Sequence, residues 1–398
     1  MSNNFWPLVI YEYRKLFRRK ILWITLGAMT ALCIFAACSH LLGNAYVNGQ
    51  VYESHGEALE KKIAFAKALS GRALDDMLLS EMQEGYAKVP NIPLAGVSRE
   101  YQTYARPYEA IWQYAFLLAG DPAYKTITEE ELYAARSEKL EQGWTNEQLG
   151  SREKEYLRAA EEKVEKPFVF TYCEGWGVLA NLMNMLCVLQ LLLIAICIPP
   201  VFSGEHSCRT DQLIQSTGLG KKPLYLAKLL VGTTFSALST LFLGMVLMGA
   251  LFCVYGTEGA DAALQLLNFR CVWPLTVGEG IRILFGLLLI TALLRTVLAM
   301  LLSECFRSST VPLALMSGFL LSALLFRIPE EYRLLSGIWN TIPVNLVAVW
   351  EVFGSRLYPF FGTFLTPWQA APVIYLLLGA GAAVLCFRRY KSFQAGGR

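Results

Sequence analysis

Residues 229–257 read LLVGTTFSALSTLFLGMVLMGALFCVYGT, without one charged side chain. An α-helix needs about 20 predominantly apolar residues to cross the roughly 30 Å hydrocarbon core of a bilayer, and this run is longer than that. The whole chain has a similar character, because 55% of its 398 residues are hydrophobic and only 17% are charged. This composition excludes an ordinary soluble enzyme, a disordered chain and a collagen-like fibre, and it predicts a protein embedded in lipid.

Five further apolar stretches, each with at most one charged side chain, lie at residues 21–42, 176–201, 283–303, 310–327 and 367–387. Together with residues 229–257 they predict an all-α integral membrane protein with six transmembrane helices. A seventh apolar stretch, residues 334–350, contains Pro343 at its centre and two asparagines. We expect it to be an interfacial or re-entrant part of the connection 328–366, because proline and polar side chains oppose a spanning helix.

Charge is distributed unevenly along the chain. Residues 43–175 contain 22 acidic and 15 basic residues, a net charge of −7, which leaves 10 acidic and 20 basic residues, a net charge of +10, for the rest. Basic clusters precede the first stretch, lie between the second and third, and follow the sixth at 388–398. Positive charge favours the cytoplasmic side. We therefore expect a multi-pass protein of the cell membrane with both termini and the turn 304–309 in the cytoplasm, and with residues 43–175, 258–282 and 328–366 outside.

The acidic region 43–175 is long enough to form a domain, and its sequence predicts mainly helices. Thr128 with Glu131, and Thr145 with Gln148, match the capping-box pattern at the start of a helix. Three cysteines are predicted at or near the outer face, Cys173, Cys253 and Cys271. The sequence leaves open whether any two of them form a disulfide.

Motifs for catalysis or for binding a cofactor are missing from the sequence. The nearest approach to a nucleotide-binding loop, at residues 218–222, lacks the first glycine and the final serine or threonine of that motif. His206 and Cys208 fall short of a zinc-binding spacing. The chain is thus predicted to be a non-catalytic subunit without a cofactor of its own, so energy for any work must come from another protein.

Residues 1–20 predict an amphipathic helix lying on the cytoplasmic surface of the membrane, with Arg14 and Lys15 on its polar side. Glu12 falls among the apolar positions of this helix. Because an unpaired buried carboxylate is costly, we expect Glu12 to pair with a cation such as Lys15 or Arg19, or with a partner.

Residues 202–228, between the second and third stretches, read FSGEHSCRTDQLIQSTGLGKKPLYLAK. This segment resembles the permease subunits of type-2 ATP-binding-cassette exporters. Their pattern has an acidic residue after the second span, a Gly-Thr pair, two aliphatic residues, a Ser-Thr or Ser-Pro pair, a basic residue and a lysine opening the third span. The matching positions are Glu205, Thr210, Leu213, Ile214, Ser216, Thr217, Lys221 and Lys228. Arg209 stands where glycine is usual. The large insertion after the first span resembles a subset of these permeases from Gram-positive bacteria.

The resemblance implies a contact through which a separate ATPase moves the membrane helices. Its residues would be Glu205, Arg209, Thr210, Asp211, Leu213, Ile214 and Ser216. The implied partners are two copies of an ATPase subunit that holds ATP and Mg, a second permease copy or paralogue, and the lipid bilayer, with no nucleic acid. The implied function is export of an amphipathic or hydrophobic substrate such as a peptide, an antimicrobial or a lipid-like molecule. The residues alone, apart from the resemblance, allow two interpretations of this short polar-amphipathic segment between two spans. It is a lever that a cytoplasmic protein could push, or it is an ordinary connecting loop.

Two other functions remain open. The same ATP-driven motion could act on an envelope partner through the extracellular domain, with nothing crossing the membrane. The chain could also be an ATP-independent secondary carrier or channel, although such carriers usually show paired repeats and intramembrane acids.

Two polar residues interrupt the apolar stretches. Arg295 is the only full charge well inside a predicted span, and Gln190 is a weaker case of the same kind. We expect Arg295 to bond carbonyls or a carboxylate at a helix contact; a position on a substrate path and a misplaced span are the alternatives.

Overall fold

The computed structural model describes residues 5–47, 50–90, 98–120, 126–207, 210, 220–329 and 331–391. The helices and strands before the second long apolar helix are α1 (Phe5–Phe17), α2 (Lys20–Cys38), β1 (Asn44–Val47), β2 (Gln50–Ser54), α3 (His55–Leu69), α4 (Asp76–Ala87), α5 (Glu109–Ala119), α6 (Glu129–Asn146) and α7 (Ser151–Glu161). Those that follow are α8 (Glu174–Cys197), α9 (Pro200–Ser207), α10 (Lys222–Tyr255), α11 (Val277–Phe306), α12 (Thr310–Leu325), α13 (Arg333–Asn340), α14 (Pro343–Leu346), α15 (Val349–Val352), β3 (Tyr358–Phe360), β4 (Thr363–Leu365) and α16 (Pro367–Lys391).

Within the described residues, five helical segments are long and apolar enough to cross a membrane. They are Lys20–Leu41, Glu174–His206, Lys222–Tyr255, Val277–Phe306 and Pro367–Lys391. The prediction of a helical, multi-pass membrane protein is confirmed at this level. The remaining predicted stretch, residues 310–327, forms α12, an apolar helix of 16 residues that is shorter than the others.

Two helix boundaries differ from the predicted spans in a way that matters for the site. α8 ends at Cys197, because Pro199 and Pro200 have no N–H to continue the backbone ladder, and α9 begins again at Pro200. α10 begins at Lys222, earlier than the predicted start at residue 229, so Lys228 lies inside a helix and faces its neighbours.

The long helices pack around α8, the most deeply buried of the five segments. α10 and α11 both lie against α8 and against each other, α16 packs along α11, and α2 packs along α10. α10 and α11 approach closely at two glycines. A Cβ atom at Gly232 would overlap Met300, and one at Gly244 would overlap Phe285. Small residues at a helix contact allow such close packing in membranes.

The described residues between 43 and 173 form a domain between α2 and α8, called here the insertion domain. It has its own apolar core, formed mainly by Leu74, Leu78, Met82, Ile111, Leu118 and Leu132. The capping box of Thr128 and Glu131 is present at the start of α6. The mainly helical content is as predicted, with the short antiparallel hairpin β1–β2 in addition.

The predicted capping box of Thr145 and Gln148 is wrong. Thr145 lies inside α6, where its hydroxyl donates to the carbonyl of Glu141. α6 continues this far because Leu140 and Trp144 are buried in the large apolar core that includes the long helices. The next helix begins instead at Ser151, and Glu153 accepts a hydrogen bond from the backbone N–H of Gly150.

The insertion domain is fixed to one end of the long helices, called here the distal end. The fully buried Arg136 donates from Nε to the carbonyl of Phe269 (3.0 Å) and from Nη2 to the carbonyl of Cys271 (2.8 Å), and it pairs with Glu161. Tyr172 donates its hydroxyl proton to the carbonyl of Tyr255 at the end of α10. Cys173, Cys253 and Cys271 are all free thiols.

The predicted interruption of residues 334–350 is present. Pro343 begins the short helix α14, and three short helices replace one continuous helix. α13 exposes an apolar face that includes Leu334, of which 85% is accessible. The hairpin β3–β4 follows before α16.

Candidate functional site

Four charged side chains meet where α1, α9 and α10 converge, at the end of the bundle opposite to the insertion domain. This group, called here the proximal charge cluster, consists of Glu12, Lys15, Glu205 and Lys228. Lys228 is fully buried, and Glu12 and Glu205 are only 3% and 6% exposed. Lys228 Nζ lies 2.6 Å from Glu205 Oε1, 3.3 Å from Glu12 Oε2 and 2.8 Å from the carbonyl of Val201. One ammonium group therefore bonds all three elements.

Lys15 balances the charge of the cluster. Its Nζ lies 2.8 Å from Glu205 and 3.7 Å from Glu12, so two ammonium groups face two carboxylates and the net charge is zero. Burial alone would lower the pKa of Lys15, but the carboxylates of Glu12 and Glu205 outweigh it and raise that pKa above its ordinary value. Lys15 therefore stays protonated at neutral pH. The expected pairing of Glu12 with Lys15 is confirmed, whereas Arg19 donates to the carbonyl of Pro200 instead.

The helix periodicity explains how these charges become buried. Glu12 shares the buried face of α1 with Val9 and Leu16, and this face packs on α10. Lys228 shares the buried face of α10 with Leu224 and Val231. Buried ions lose hydration energy of several kcal/mol each, and good mutual geometry has to compensate for that loss. The short distances within the cluster provide such geometry.

A second set of polar contacts holds α9 against α11 and α12. His206 Nε2 lies 3.1 Å from Glu304 Oε2, and the hydroxyl of Ser303 donates to the carbonyl of Pro199. The hydroxyls of Ser203 and Ser309 are 2.5 Å apart. α9 and the residue before it are thus bonded on one side to α1 and α10, and on the other side to the end of α11 and the start of α12.

The structure brings together some of the residues named from the sequence and leaves others apart. Glu12, Lys15 and Glu205 meet in one cluster, and the N–H of Thr210 donates to the carbonyl of Glu205. Arg14 is exposed on the opposite face of α1. The other coupling residues named from the sequence, Arg209, Asp211, Leu213, Ile214 and Ser216, lie outside the described residues.

Lys228 is the member of the proximal charge cluster that the sequence analysis did not name as a site. It matched the permease pattern, but it was placed at the edge of a connecting segment. A helix extended back to Lys222 would have put Lys228 on the same face as Leu224 and Val231, and a lysine on such a face predicts an acidic partner.

The two intramembrane polar residues make different contacts. Gln190 donates from Nε2 to the carbonyl of Ser236 and to the hydroxyl of Ser239, both at 3.1 Å. Arg295 donates from Nη1 to the carbonyl of Cys187 and from Nη2 to its sulfur, each at 2.8 Å. The expectation that Arg295 bonds a carbonyl at a helix contact is confirmed, since Cys187 belongs to α8.

Arg295 also lies on the wall of a cavity of about 1300 Å³. The wall is formed by α11, α12, α13, α14 and α16, by Leu191 of α8, by the hairpin β3–β4, and by residues 147–153 of the insertion domain. Most side chains on this wall are apolar, including Leu298, Leu315 and Phe319. The cavity therefore reaches from the insertion domain into the bundle and offers an apolar lining with a few charges.

Among the described residues, no three His, Cys, Asp or Glu side chains are grouped so that they could hold a metal ion. Comparison of the chain with family models, with curated proteins and with solved structures finds no match.

Proposed function

We propose that this chain is the membrane-spanning permease subunit of an ATP-driven exporter, with six spans, cytoplasmic termini and an extracellular insertion domain. It works as a dimer with a second permease and two copies of a separate ATPase, which hold ATP and Mg. The proximal charge cluster is the observation that supports this proposal best. It bonds α9 to α10 and both helices to α1, so the two helices that flank the predicted coupling residues are held together at one cluster.

A force applied to the connection between α9 and α10 would reach the bundle through the proximal charge cluster. α9 continues from α8, the central helix, after the break at Pro199 and Pro200, and Glu304 and Ser303 connect α9 to α11. Displacement of α9 by a docked ATPase would therefore move α8 and α11 together, and both helices border the cavity beside Arg295. This arrangement supports coupling of ATP hydrolysis to a change in the shape of that cavity.

The attachment of the insertion domain favours a second function, transmission of force to an envelope partner. Arg136 and Tyr172 bond the domain to the distal ends of the bundle, and Lys62 and Lys67 add ion pairs to Glu174 and Glu258. A domain held this firmly would follow any movement of α8 and α10. The exporter is the better supported of the two functions, because a transmitter needs no cavity of about 1300 Å³.

The test is to replace Leu213 and Ile214 together by Asp in the tagged, full-length protein and to purify it from membranes of its native cells. We expect the parent to retain a subunit with a nucleotide-binding motif, and the double variant to lose it by roughly a hundredfold, since apolar anchors dominate such contacts. Leu334→Asp is the matched control, because Leu334 is an exposed leucine at the distal end. Normal retention of the ATPase by the double variant would refute the coupling site.

Proteoliposomes containing the purified complex separate the two functions. An exporter should hydrolyse ATP faster when its substrate is present and should accumulate that substrate on one side. A force transmitter should hydrolyse ATP and change the protease sensitivity of the insertion domain without net movement of any amphiphile. A complex without a nucleotide-binding subunit, or a chain that transports without ATP, would exclude both and favour the secondary carrier.

A further inference from the structure

Arg295 is a buried cation without a counter-ion in the described part of the chain. Only 4% of it is exposed, its two hydrogen bonds go to Cys187, and no carboxylate of the described residues lies within ion-pairing distance. A guanidinium has five N–H donors, so the contacts with Cys187 leave others unused. Charged side chains inside a membrane protein usually pair with one another or with backbone carbonyls, and they often mark the path of a ligand. The unbalanced charge of Arg295 therefore points to an anion that comes from outside the chain.

The cavity continues past Arg295 with apolar walls. Leu298, Leu301 and Leu302 line it on the same helix, and Leu302 lies seven residues beyond Arg295, or about 10 Å at the helical rise. Leu315 and Phe319 of α12 line the facing wall. This section suits a hydrocarbon chain.

The distal mouth of the cavity has an excess of positive charge. Three arginines, Arg152, Arg333 and Arg356, line it together with two glutamates, Glu147 and Glu153. Arg333 is paired with Glu153, but the buried Nε of Arg356 has no hydrogen-bond partner among the described residues. A net positive mouth attracts anions and raises their rate of entry.

We infer that the cavity binds an amphiphile with a single anionic head group, a carboxylate or a phosphate, which bonds Arg295 while its hydrocarbon chain occupies the leucine-lined section. The cavity exceeds the roughly 300–1,000 Å³ of most small-molecule sites, as a lipid-sized ligand requires. This inference names the substrate class of the proposed exporter, and it rests on the proposed function only for what happens to the ligand after binding.

The experiment compares three probes with one chain length, dodecanoate, dodecyl phosphate and dodecanol. The purified chain alone is held in nanodiscs of phosphatidylcholine, and each probe displaces a fluorescent fatty acid. We expect both anions to bind at least about tenfold more tightly than dodecanol. Arg295→Gln should remove this preference and leave dodecanol binding unchanged, whereas Arg295→Lys should keep most of it. Arg282→Gln, at an exposed arginine on the same helix, is the control and should change nothing.

A second variant keeps the test decisive if Arg295→Gln does not fold. Leu298→Trp retains the arginine but fills the chain-binding section, and it should weaken all three probes by about tenfold. Equal binding of the three probes to the parent would show that the cavity does not distinguish an anionic head group and would overturn the inference. An unchanged preference in Arg295→Gln, or unchanged binding in Leu298→Trp, would overturn it as well. Because no ATPase is present, these outcomes are independent of whether the coupling proposal is right.

Discussion

Replacing Lys228 by Met removes one positive charge from a fully buried site while keeping a side chain of similar length. The proximal charge cluster then has two carboxylates and one ammonium group, a net charge of −1 at a site where both carboxylates are buried. Removing one partner of a buried ion pair typically costs 3–5 kcal/mol. Because Lys15 still lies 2.8 Å from Glu205, we expect a loss near the lower end, about 3 kcal/mol.

A compensating change tests whether charge balance is the cause. In the double variant Lys228→Met with Glu205→Gln, one carboxylate and one ammonium group remain, those of Glu12 and Lys15, and the net charge returns to zero. Contacting residues commonly show interaction energies of 0.5–3 kcal/mol in such cycles. We therefore expect the double variant to be more stable than Lys228→Met alone by about 1 kcal/mol, although the double variant also lacks the carboxylate of Glu205.

The measurement is unfolding in mixed micelles, followed by tryptophan fluorescence, for the parent and each variant. Lys222→Met is the matched control, since Lys222 is an exposed lysine at the start of the same helix, and it should change the free energy of unfolding by less than about 0.5 kcal/mol. The reasoning is refuted if Lys228→Met is no less stable than Lys222→Met. It is also refuted if Glu205→Gln lowers the free energy of unfolding of Lys228→Met by as much as it lowers that of the parent.

Two further predictions concern the insertion domain. With single cysteines introduced as Lys139→Cys or Ser392→Cys, a membrane-impermeant maleimide on intact cells should label only the first; labelling of the second alone would invert the topology. Burial opposes ionisation of Glu53, but hydrogen bonds from Lys61 and Arg106 outweigh it and hold the pKa of Glu53 below its ordinary value. Its stabilising contribution is therefore complete above about pH 4.3, the unfolded value, and is lost as the pH falls through the lower folded pKa. The thermal midpoint of the full-length protein should drop between pH 7 and pH 3.5, and Glu53→Gln should flatten that drop; an equal drop in both would exclude Glu53 as its source.

Long-range periodicity and composition predicted the membrane helices well, because the cost of exposing charge to lipid acts on every residue of a span. The break at Pro343 and the cap at Thr128 were also predictable, since each depends on groups within one helical turn. The prediction at Thr145 was wrong because a capping pattern depends only on residues within one helical turn. It contains no information on Leu140 and Trp144, whose packing into a core extends the helix past Thr145.

The proximal charge cluster could be predicted only in part. Glu12 and Lys15 are neighbours on one helix, so their pairing follows from spacing. Lys228 lies 216 residues from Glu12 along the chain, and only the packing of α1 on α10 brings the two together. The cavity beside Arg295 was beyond prediction, because its volume depends on how α11, α12 and α16 diverge and on where the insertion domain covers the gap.

Residues 147–153 of the insertion domain and the helices of the bundle border the same cavity. Any molecule that fills this space touches the domain and the spans at once, so its occupancy is thermodynamically linked to the position of the domain. Linkage is reciprocal: if a ligand shifts the domain, a protein that binds the domain must change the affinity of the cavity by the same factor. A protein that binds the insertion domain would therefore raise or lower the affinity of the cavity for a ligand that it never contacts.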